Sequence, residues 1–345
     1  MTTLMGAERG LDTAAAPPRP KTMMAVLQDR YGSADVLRLA EIAVPEVLPD
    51  RVLLRVRAAS VNSLDWRTMR GEPRLFRKAM GGLRAPKNRV RGVDVAGTVV
   101  AVGSQVTRFV PGDEVFGSTV GAFAEYARAR ETSLQPKPQR LSFEEAATLN
   151  VAGHTALQGL RDGGRVRAGQ RVLIYGAGGG VGTFAVQIAK ALGAHVTAAS
   201  TTRKLELLRS IGADEVIDYT HDDFSRQGRP YDVIFDIVGD RSIGDYRRAL
   251  TPTGTLVIIG GSGGRWLGPV VHMLKAIAVR RFVSQRLVPF ISSTNPEDLA
   301  EIRELAESGK LRPVIDRRYP LSEAPAAVRY LEEHNATGKV VITVS

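Results

Sequence analysis

A glycine-rich turn between a short apolar run and a helical pattern constrains this chain more than any other feature. The run Arg171–Tyr175 (RVLIY) is predicted to be a buried strand, and it leads directly into residues 176–182 (GAGGGVG). Residues Thr183–Leu192 (TFAVQIAKAL) follow with helical periodicity. A strand that turns tightly into a helix is typical of a parallel sheet covered by helices.

Later segments repeat this alternation of strands and helices. His195–Ser200, Tyr231–Ile237 and Thr255–Gly260 are short and apolar. A helical pattern over Lys204–Ile211 lies between the first two of them. This order predicts an α/β fold with a doubly wound parallel sheet of the Rossmann type.

The residues before about position 143 follow a different pattern. Val52–Ala58 alternates apolar and polar residues as a half-buried strand does, and Val93–Val102 is a second apolar segment. The triplet Pro111-Gly112-Asp113 marks a turn after it. Many short strands separated by Gly and Pro turns predict a compact β-rich domain.

These patterns divide the chain into parts. Residues 1–22, rich in Ala and Pro, are predicted to be a disordered leader. Residues 23–148 are predicted to form the β-rich domain and residues 149–284 the parallel-sheet domain. Residues 285–345 end in a strand pattern at Val340–Val344 and are predicted to complete the β-rich domain.

The glycine-rich turn also has the features of a phosphate site. Unpaired N–H groups at a helix N-terminus favour negative charge, and glycines let a pyrophosphate approach the backbone. The spacing G-x-G-x-x-G is incomplete because Ala177 stands at its first position, whereas a Gly-x-x-Gly-x-x-Gly spacing from Gly176 is satisfied. The cofactor contacts that we predict in this turn are Gly178, Gly179, Gly180 and Val181.

The end of the second strand indicates which dinucleotide is bound. Sites for NAD usually have an acid about 20 residues after the turn, where it binds the ribose 2′-hydroxyl. Here Ser200, Arg203 and Lys204 occupy that region, and the first acid is Glu206 in the next helix. Hydroxyl and cationic groups suit a 2′-phosphate, so the expected cofactor is NADPH. The alternative is that Arg203 and Lys204 are only a solvated helix start.

Composition sets further limits. The chain lacks cysteine, which excludes disulfides and thiolate nucleophiles. Its net charge is +11, and nine basic residues lie between Trp66 and Arg91. A solvated surface is the simplest interpretation, while an anionic substrate, nucleic acid or an acidic membrane surface remain open. Few aromatic residues accompany the basic ones, which argues against binding of single-stranded nucleic acid.

The hydropathy pattern favours a soluble, cytoplasmic protein. There is no run of 18 apolar residues, and the N-terminus lacks the pattern of a secretion signal. The segment Trp266–Val283 combines an apolar face with basic residues. Such a helix is more often a lid or a dimer contact than a membrane anchor.

Six motifs are spread over the chain from about Met23 onward, and the glycine-rich turn is one of them. The other five are Ala59–Trp66 (ASVNSLDW), Gly92–Gly97 (GVDVAG), Pro111–Val115 (PGDEV), Gly212–Tyr219 (GADEVIDY) and Gly338–Val341 (GKVV). Together they resemble the medium-chain dehydrogenase/reductase superfamily, in its zinc-independent quinone oxidoreductase-like branch. This resemblance implies a GroES-like substrate domain beside a Rossmann NADP-binding domain.

The resemblance also implies cofactor contacts outside the turn. Lys204 and Tyr219 match positions that hold the adenosine phosphate in NADP-using relatives, and Thr155 matches one near the nicotinamide. Gly260, in a cofactor-side loop, and Lys339, in the last motif, are further expected contacts. A small-molecule substrate and a second copy of the chain, in a homodimer, are the expected partners.

Zinc-dependent relatives differ from this chain at all three catalytic metal positions. Where they have Cys, Gly-His-Glu and Cys-Ala-Gly, this chain has Asn62-Ser63, Gly92-Val93-Asp94 and Val151-Ala152-Gly153. A catalytic zinc needs three protein ligands. The chain is therefore expected to bind no metal.

A reaction without a metal favours electron-poor substrates, because no Lewis acid polarises an alcohol or a simple carbonyl. The leading hypothesis is reduction of a quinone or an α,β-unsaturated carbonyl with NADPH. Asn62 is the expected hydrogen-bond donor to the substrate oxygen. The final proton is expected to come from solvent or from His154, for which a purely structural role is the alternative. Asp65 is expected to orient the neighbouring backbone or Arg67.

Other functions remain open at this point. One is reduction of an alcohol/carbonyl pair or an enoyl thioester. Another is an NADPH-binding, RNA- or membrane-associated protein with little turnover. The segment Gly260–Gly264 matches the G-x-S-x-G elbow of hydrolases, but such short matches are common in a chain with 35 glycines.

Overall fold

The computed structural model describes residues 20–74, 77, 82–226, 228, 230–260, 270–333 and 336–345. Residues 1–19, and with them most of the predicted leader, lie outside this part of the chain. The first strand already begins at Thr22, inside the predicted leader. The described residues form two large sheets of different kinds and a separate antiparallel pair.

The strands are numbered in chain order. They are β1 (Thr22–Gln28), β2 (Leu37–Ala43), β3 (Arg51–Val61), β4 (Asp94–Val102), β5 (Glu114–Ser118), β6 (Tyr126–Arg130), β7 (Leu134–Pro136), β8 (Arg171–Tyr175), β9 (His195–Ser200), β10 (Glu215–Asp218), β11 (Tyr231–Asp236), β12 (Leu250–Ile258), β13 (Arg286–Pro289), β14 (Ile315–Pro320) and β15 (Lys339–Thr343).

The helices are concentrated in the second half of the chain. They are α1 (Ser63–Arg70), α2 (Phe143–Ala146), α3 (Leu149–Gln158), α4 (Gly180–Ala191), α5 (Leu205–Ser210), α6 (Ile243–Ala249), α7 (Val270–Val279), α8 (Pro296–Glu307) and α9 (Ala324–Glu332). The helical segment that follows Ser142 consists of two helices, α2 and α3, and α3 continues into a π-helical turn at Gly159–Gly164.

The first large sheet has seven strands and is built around β3. This strand pairs antiparallel with β4, β6 and β15, and β14 and β5 lie further out. Its middle alternates as predicted, with Val56 buried between the exposed Arg55 and Arg57. Its last residues, Ala58–Val61, are all buried, because other elements cover both faces at this end. The sheet therefore carries Ser60 and Val61 into the interior.

The second large sheet has six parallel strands in the order β10-β9-β8-β11-β12-β13. From β8, strands β9 and β10 extend the sheet on one side, and strands β11, β12 and β13 extend it on the other side. The strand order thus reverses between β8 and β11, and ligands of such sheets bind at the carboxyl ends of the strands at this point. The α/β class and the doubly wound sheet are confirmed.

The predicted domain boundary at residues 284 and 285 is wrong in one respect. Strand β13 (Arg286–Pro289) pairs in parallel with β12, and Ile302 of α8 packs against Gly153 of α3. The parallel-sheet domain therefore extends past residue 284, and only β14, α9 and β15 return to the first sheet. A four-residue strand such as β13 is too short to show a period in the sequence.

Among the described residues, no helix is long and apolar enough to cross a lipid bilayer. The predicted amphipathic segment Trp266–Val283 is described only from Val270, where α7 begins. Leu274 and Ile277 of this helix are exposed.

Candidate active site

A cavity of about 460 Å³ lies at the carboxyl ends of β8 and β11, and residues of both domains line it. Gly176, Gly179, Gly180 and Val181 come from the glycine-rich turn. The other lining residues are Ser63, Trp66, Arg67, Ser200, Lys204, Tyr219, Ile237, Val238, Asp240, Leu331, Ala336 and Gly338.

Backbone conformation explains Gly176 in the turn, and close packing explains Gly178. Gly176 has a φ of +93°, which favours glycine. A Cβ atom on Gly178 would lie 2.4 Å from Cδ of Lys204 and 2.5 Å from Oγ of Ser200. At Gly179, the N-cap of α4, a Cβ atom would meet nothing nearer than 3.8 Å. The turn thus leaves open space in front of a helix N-terminus, as a bound pyrophosphate requires.

The predicted 2′-phosphate residues are only partly brought together. Ser200, Lys204 and Tyr219 line the cavity, whereas Arg203 is exposed and does not line it. The ammonium group of Lys204 is almost buried and donates a hydrogen bond of 2.5 Å to the carbonyl oxygen of Ala336. Burial, and next the charge of Arg203, lower the pKa of Lys204. An anion beside Lys204 would offset both effects.

The segment before β15 is attached to the glycine-rich turn. The backbone N–H of Gly338 donates to the carbonyl oxygen of Gly178 at 3.1 Å, and Gly179 and Gly338 form an isolated parallel bridge. Together with the bond from Lys204 to Ala336, these contacts join the two domains along one edge of the cavity.

A buried carboxylate, Asp94 at the start of β4, collects five neighbours. Its Oδ2 atom accepts hydrogen bonds of 2.9 Å from Ser60 Oγ and from Asn62 Nδ2, and lies 3.5 Å from Nζ of Lys339. Its Oδ1 atom accepts from Asn150 Nδ2 at 3.0 Å and from the backbone N–H of Val151 at 3.1 Å. Asp94 thus connects β3, α1 and β15 of one domain with α3 of the other.

Lys339 is buried and does not line the cavity. Its ammonium group donates to Oδ1 of Asn62 at 2.5 Å, and its stem passes beneath the glycine-rich turn, where a Cβ atom on Gly180 would lie 2.9 Å from Cδ of Lys339. Burial lowers the pKa of Lys339, and the charge of Asp94 opposes this shift. The structure places Lys339 behind the predicted cofactor surface, where it supports both Gly180 and Asn62.

Asn62 caps helix α1 instead of facing the cavity. Its side-chain N–H groups lie 2.9 Å from Asp94 and 3.4 Å from the carbonyl oxygen of Ser60. Its backbone N–H donates to Asp65 at 2.7 Å, so that Asn62 and Asp65 form a capping box. Because its donors are engaged inside the protein, Asn62 orients the helix start, and the next residue, Ser63, faces the cavity.

His154 and Thr155 lie on α3 away from the cavity. The two ring nitrogens of His154 lie 2.8 Å and 3.1 Å from the carbonyl oxygens of Asn150 and Asn295. The hydroxyl of Thr155 donates to the carbonyl oxygen of Val151 at 2.7 Å and lies 3.0 Å from the Ser292 hydroxyl. Neither residue lines the cavity, so their predicted roles receive no support from the geometry.

Gly260 supports the cavity from behind. A Cβ atom there would lie 1.8 Å from the carbonyl oxygen of Ile237, and Ile237 lines the cavity. The rest of the predicted hydrolase elbow, residues 261–264, lies outside the described residues.

Sequence reasoning missed several lining residues. Ile237, Val238 and Asp240 follow β11, the strand beside β8 at the reversal of strand order. The rule that ligands bind at this point could have identified them. Trp66, Arg67 and Leu331 come from helices of the other domain, and no local pattern reveals which of their residues face the cavity.

The residues at the three metal positions do not fit zinc. The side chains of Val93 and Val151 carry no ligand atom, and the amide of Asn62 is hydrogen-bonded to Asp94 and Lys339. The carboxylate of Asp94, next to Val93, is engaged with amide and hydroxyl donors and with the ammonium of Lys339. In the described part of the chain, no group of three or more His, Cys, Asp or Glu residues could hold a metal ion.

Comparisons with known proteins identify the family. The family model described as a zinc-binding dehydrogenase matches residues 211–342, and the alcohol dehydrogenase GroES-like domain matches residues 48–139. The 2-methylene-furan-3-one reductase of Solanum lycopersicum is 37% identical to this chain, over 96% of the chain and 81% of the relative.

Two further proteins are similar over nearly the whole chain. The chloroplastic NADPH-dependent alkenal/one oxidoreductase of Arabidopsis thaliana is 35% identical, over 97% of this chain and 83% of the relative. The solved quinone oxidoreductase from Coxiella burnetii has a TM-score of 0.80 and 32% identity, over 94% of this chain and 100% of that one.

The chain belongs to the medium-chain dehydrogenase/reductase superfamily, and the prediction from its motifs is confirmed. The GroES-like domain that the resemblance implied is confirmed as well. Within the superfamily, the chain is a member of the quinone oxidoreductase-like branch.

Asp65 should make stability depend on pH. Burial is the main reason that its pKa is raised from 3.8 to about 7. Between about pH 4 and about pH 7 the folded protein retains a proton that the unfolded chain has lost, so stability should fall as pH rises through this window. Asp65→Asn should remove the contribution of Asp65 to this decrease in the free energy of unfolding, a contribution that is at most on the order of 4 kcal/mol.

The measurement is the melting temperature of the wild type and the variant from pH 4 to pH 8. The melting temperature of Asp65→Asn relative to that of the wild type should increase up to about pH 7, and the difference should then stay constant. The exposed acid Asp222 provides the control, since Asp222→Asn should follow the wild-type profile. A constant difference between Asp65→Asn and wild type at all pH values would contradict the prediction.

Proposed function

We propose that this chain uses NADPH to reduce an electron-poor double bond in a quinone or an α,β-unsaturated carbonyl. The observation that carries this proposal is a single cavity that combines a phosphate-binding glycine turn, a buried lysine at the 2′-phosphate position and a wall from the GroES-like domain. The relatives agree with it, since their names describe a 2-methylene-furan-3-one reductase, an alkenal/one oxidoreductase and a quinone oxidoreductase.

The cofactor is NADPH, which supplies a hydride when bound. The residues of the glycine-rich turn would hold its pyrophosphate at the N-terminus of α4. Ser200, Lys204 and Tyr219 would hold the 2′-phosphate. Lys204 is already positioned for this role by its bond to Ala336.

The part of the cavity lining that comes from the GroES-like domain suits a flat, conjugated substrate. Trp66 and Leu331 give it apolar surface, and Ser63 adds a hydroxyl donor. The oxygen of a quinone or an enone takes up negative charge away from the attacked carbon, so one modest donor is enough to stabilise it. We assign this donor role to Ser63, because the amide of Asn62 is engaged with Asp94. Solvent supplies the proton.

The substrate class can be tested with a panel. NADPH oxidation should be fastest with quinones and enones, slower with aldehydes and enoyl thioesters, and primary alcohols should hardly react with NADP⁺. Chelators should leave the rates unchanged, because the metal positions do not fit zinc. Ser63→Ala should lower kcat/KM on the best substrate about tenfold. Efficient oxidation of ethanol, or zinc whose removal abolishes activity, would contradict this proposal.

Cofactor preference is the second test of the proposed function. NADPH should bind more than about tenfold more tightly than NADH, because charge-assisted hydrogen bonds hold its 2′-phosphate. Lys204→Gln should remove most of this preference, and Arg203→Ala should remove less, because Arg203 lies outside the cavity. Lys310→Gln, at an exposed lysine elsewhere, is the control. Calorimetry gives the dissociation constants. Equal affinities of the wild type for NADPH and NADH would refute the assignment of a 2′-phosphate site.

We also propose a homodimer formed through the β13 edge of the parallel sheet. Within the described residues, β13 pairs with β12 on one side only, and apolar side chains beside it are exposed, Phe282 by 88% and Ile291 by 82%. An exposed strand edge flanked by apolar residues favours pairing with another chain.

Light scattering should therefore give twice the mass of one chain. Phe282→Asp combined with Ile291→Asp should produce monomers. The control is Leu83→Asp, at an apolar residue that is 67% exposed in the other domain, which should leave the mass unchanged. A monomeric wild type would exclude this interface.

The cytoplasmic location stays a prediction, and the name of the Arabidopsis relative places that protein in the chloroplast. The alternative function, an NADPH-binding protein associated with RNA or a membrane, gains no specific observation from the described residues.

A further inference from the structure

Arg67 lines the cavity from the GroES-like domain, whereas the glycine-rich turn lines it from the parallel-sheet domain. It lies on α1 and lines the same cavity as Gly179, Gly180 and Lys204. Its guanidinium carbon lies 4.8 Å from the ring centroid of Trp66, so an aromatic ring from the same helix supports the charged group. The side chain is half-buried.

The guanidinium of Arg67 makes no hydrogen bond or ion pair with any described residue, although neighbouring arginines do. Arg70, on the same helix, forms an ion pair with Glu332, and Arg91 donates to the carbonyl oxygen of Asn88. Burial lowers the pKa of Arg67, and Glu72 opposes this only through its charge. A half-buried cation without a paired acid is costly, and an anion entering the cavity would offset that cost.

We propose that Arg67 binds a phosphate group of the dinucleotide from the GroES-like side of the cavity. This inference rests on the proposed function. A guanidinium matches the geometry of phosphate with two parallel hydrogen bonds. The phosphate would then be held from both walls, by Arg67 on one side and by the glycine-rich turn on the other.

The charges in the cavity favour a phosphate over an anionic group of the substrate. Its described lining contains two cations, Lys204 and Arg67, and one acid, Asp240. NADPH carries a diphosphate and a 2′-phosphate, and a phosphate monoester alone has a charge of about −1.5 to −2 at neutral pH. Lys204 alone leaves most of that charge unpaired, and Arg67 is the second cation within the same cavity.

The test is the affinity of Arg67→Gln for NADPH and NADH, measured by calorimetry without substrate. We expect affinity to fall about tenfold or more, the usual effect of losing a charge-assisted bond, and Arg67→Lys to lie between. The control is Arg84→Gln, which removes a charge from an exposed position in the same basic stretch and should bind like wild type. Melting temperatures check that each variant is folded.

Each outcome has a defined meaning. Equal losses for NADPH and NADH would place Arg67 on the pyrophosphate, and a loss for NADPH alone would place it on the 2′-phosphate. If Arg67→Gln bound both nucleotides as tightly as the wild type, the inference would be overturned. This holds also if the variant raised only the KM of a carboxylate-bearing substrate. A wild-type protein that binds neither nucleotide would instead refute the proposed function, and this inference with it.

Discussion

The carboxylate of Asp94 is the interaction on which the arrangement of the cavity depends. A buried charge is tolerated only when it is paired and fully hydrogen-bonded, and Asp94 meets this condition with groups from β3, α1, α3 and β15. To satisfy one carboxylate, the chain must bring these four elements together. The position of α1, and hence of the wall that faces the glycine-rich turn, follows from that requirement.

Local patterns were enough to predict much of the fold. Strand β9 coincides with the predicted His195–Ser200, and β8 and the glycine-rich turn lie where the apolar run and the glycines placed them. These elements are set by side-chain period and backbone freedom over a few neighbouring residues. Strand β13 was not found, because its pairing with β12 depends on the sheet and not on its own four residues.

The site was harder to predict, because a motif does not show which way its side chains point. Asn62 is the N-cap of α1 and has an extended backbone, whereas Ser63 is the first helical residue, so the side chains of these two neighbours point in different directions. Asn62 therefore turns towards Asp94 while Ser63 turns towards the cavity. Similarly, Lys339 was predicted to contact the cofactor, but its distant partner Asn62 holds it in the interior.

The hydrogen bond from Gly338 to Gly178 joins two segments that the ribosome makes at different times. The glycine-rich turn is translated long before the segment that hydrogen-bonds to it, and the buried ammonium of Lys339 belongs to that same late segment. While the chain is growing on the ribosome, the parallel sheet can form, but one edge of the cavity stays open and Asp94 lacks its counter-charge. Strands β8 to β13 of a nascent chain can therefore pair before residues 336–339 are made, whereas the nucleotide pocket is completed only after those residues have left the ribosome.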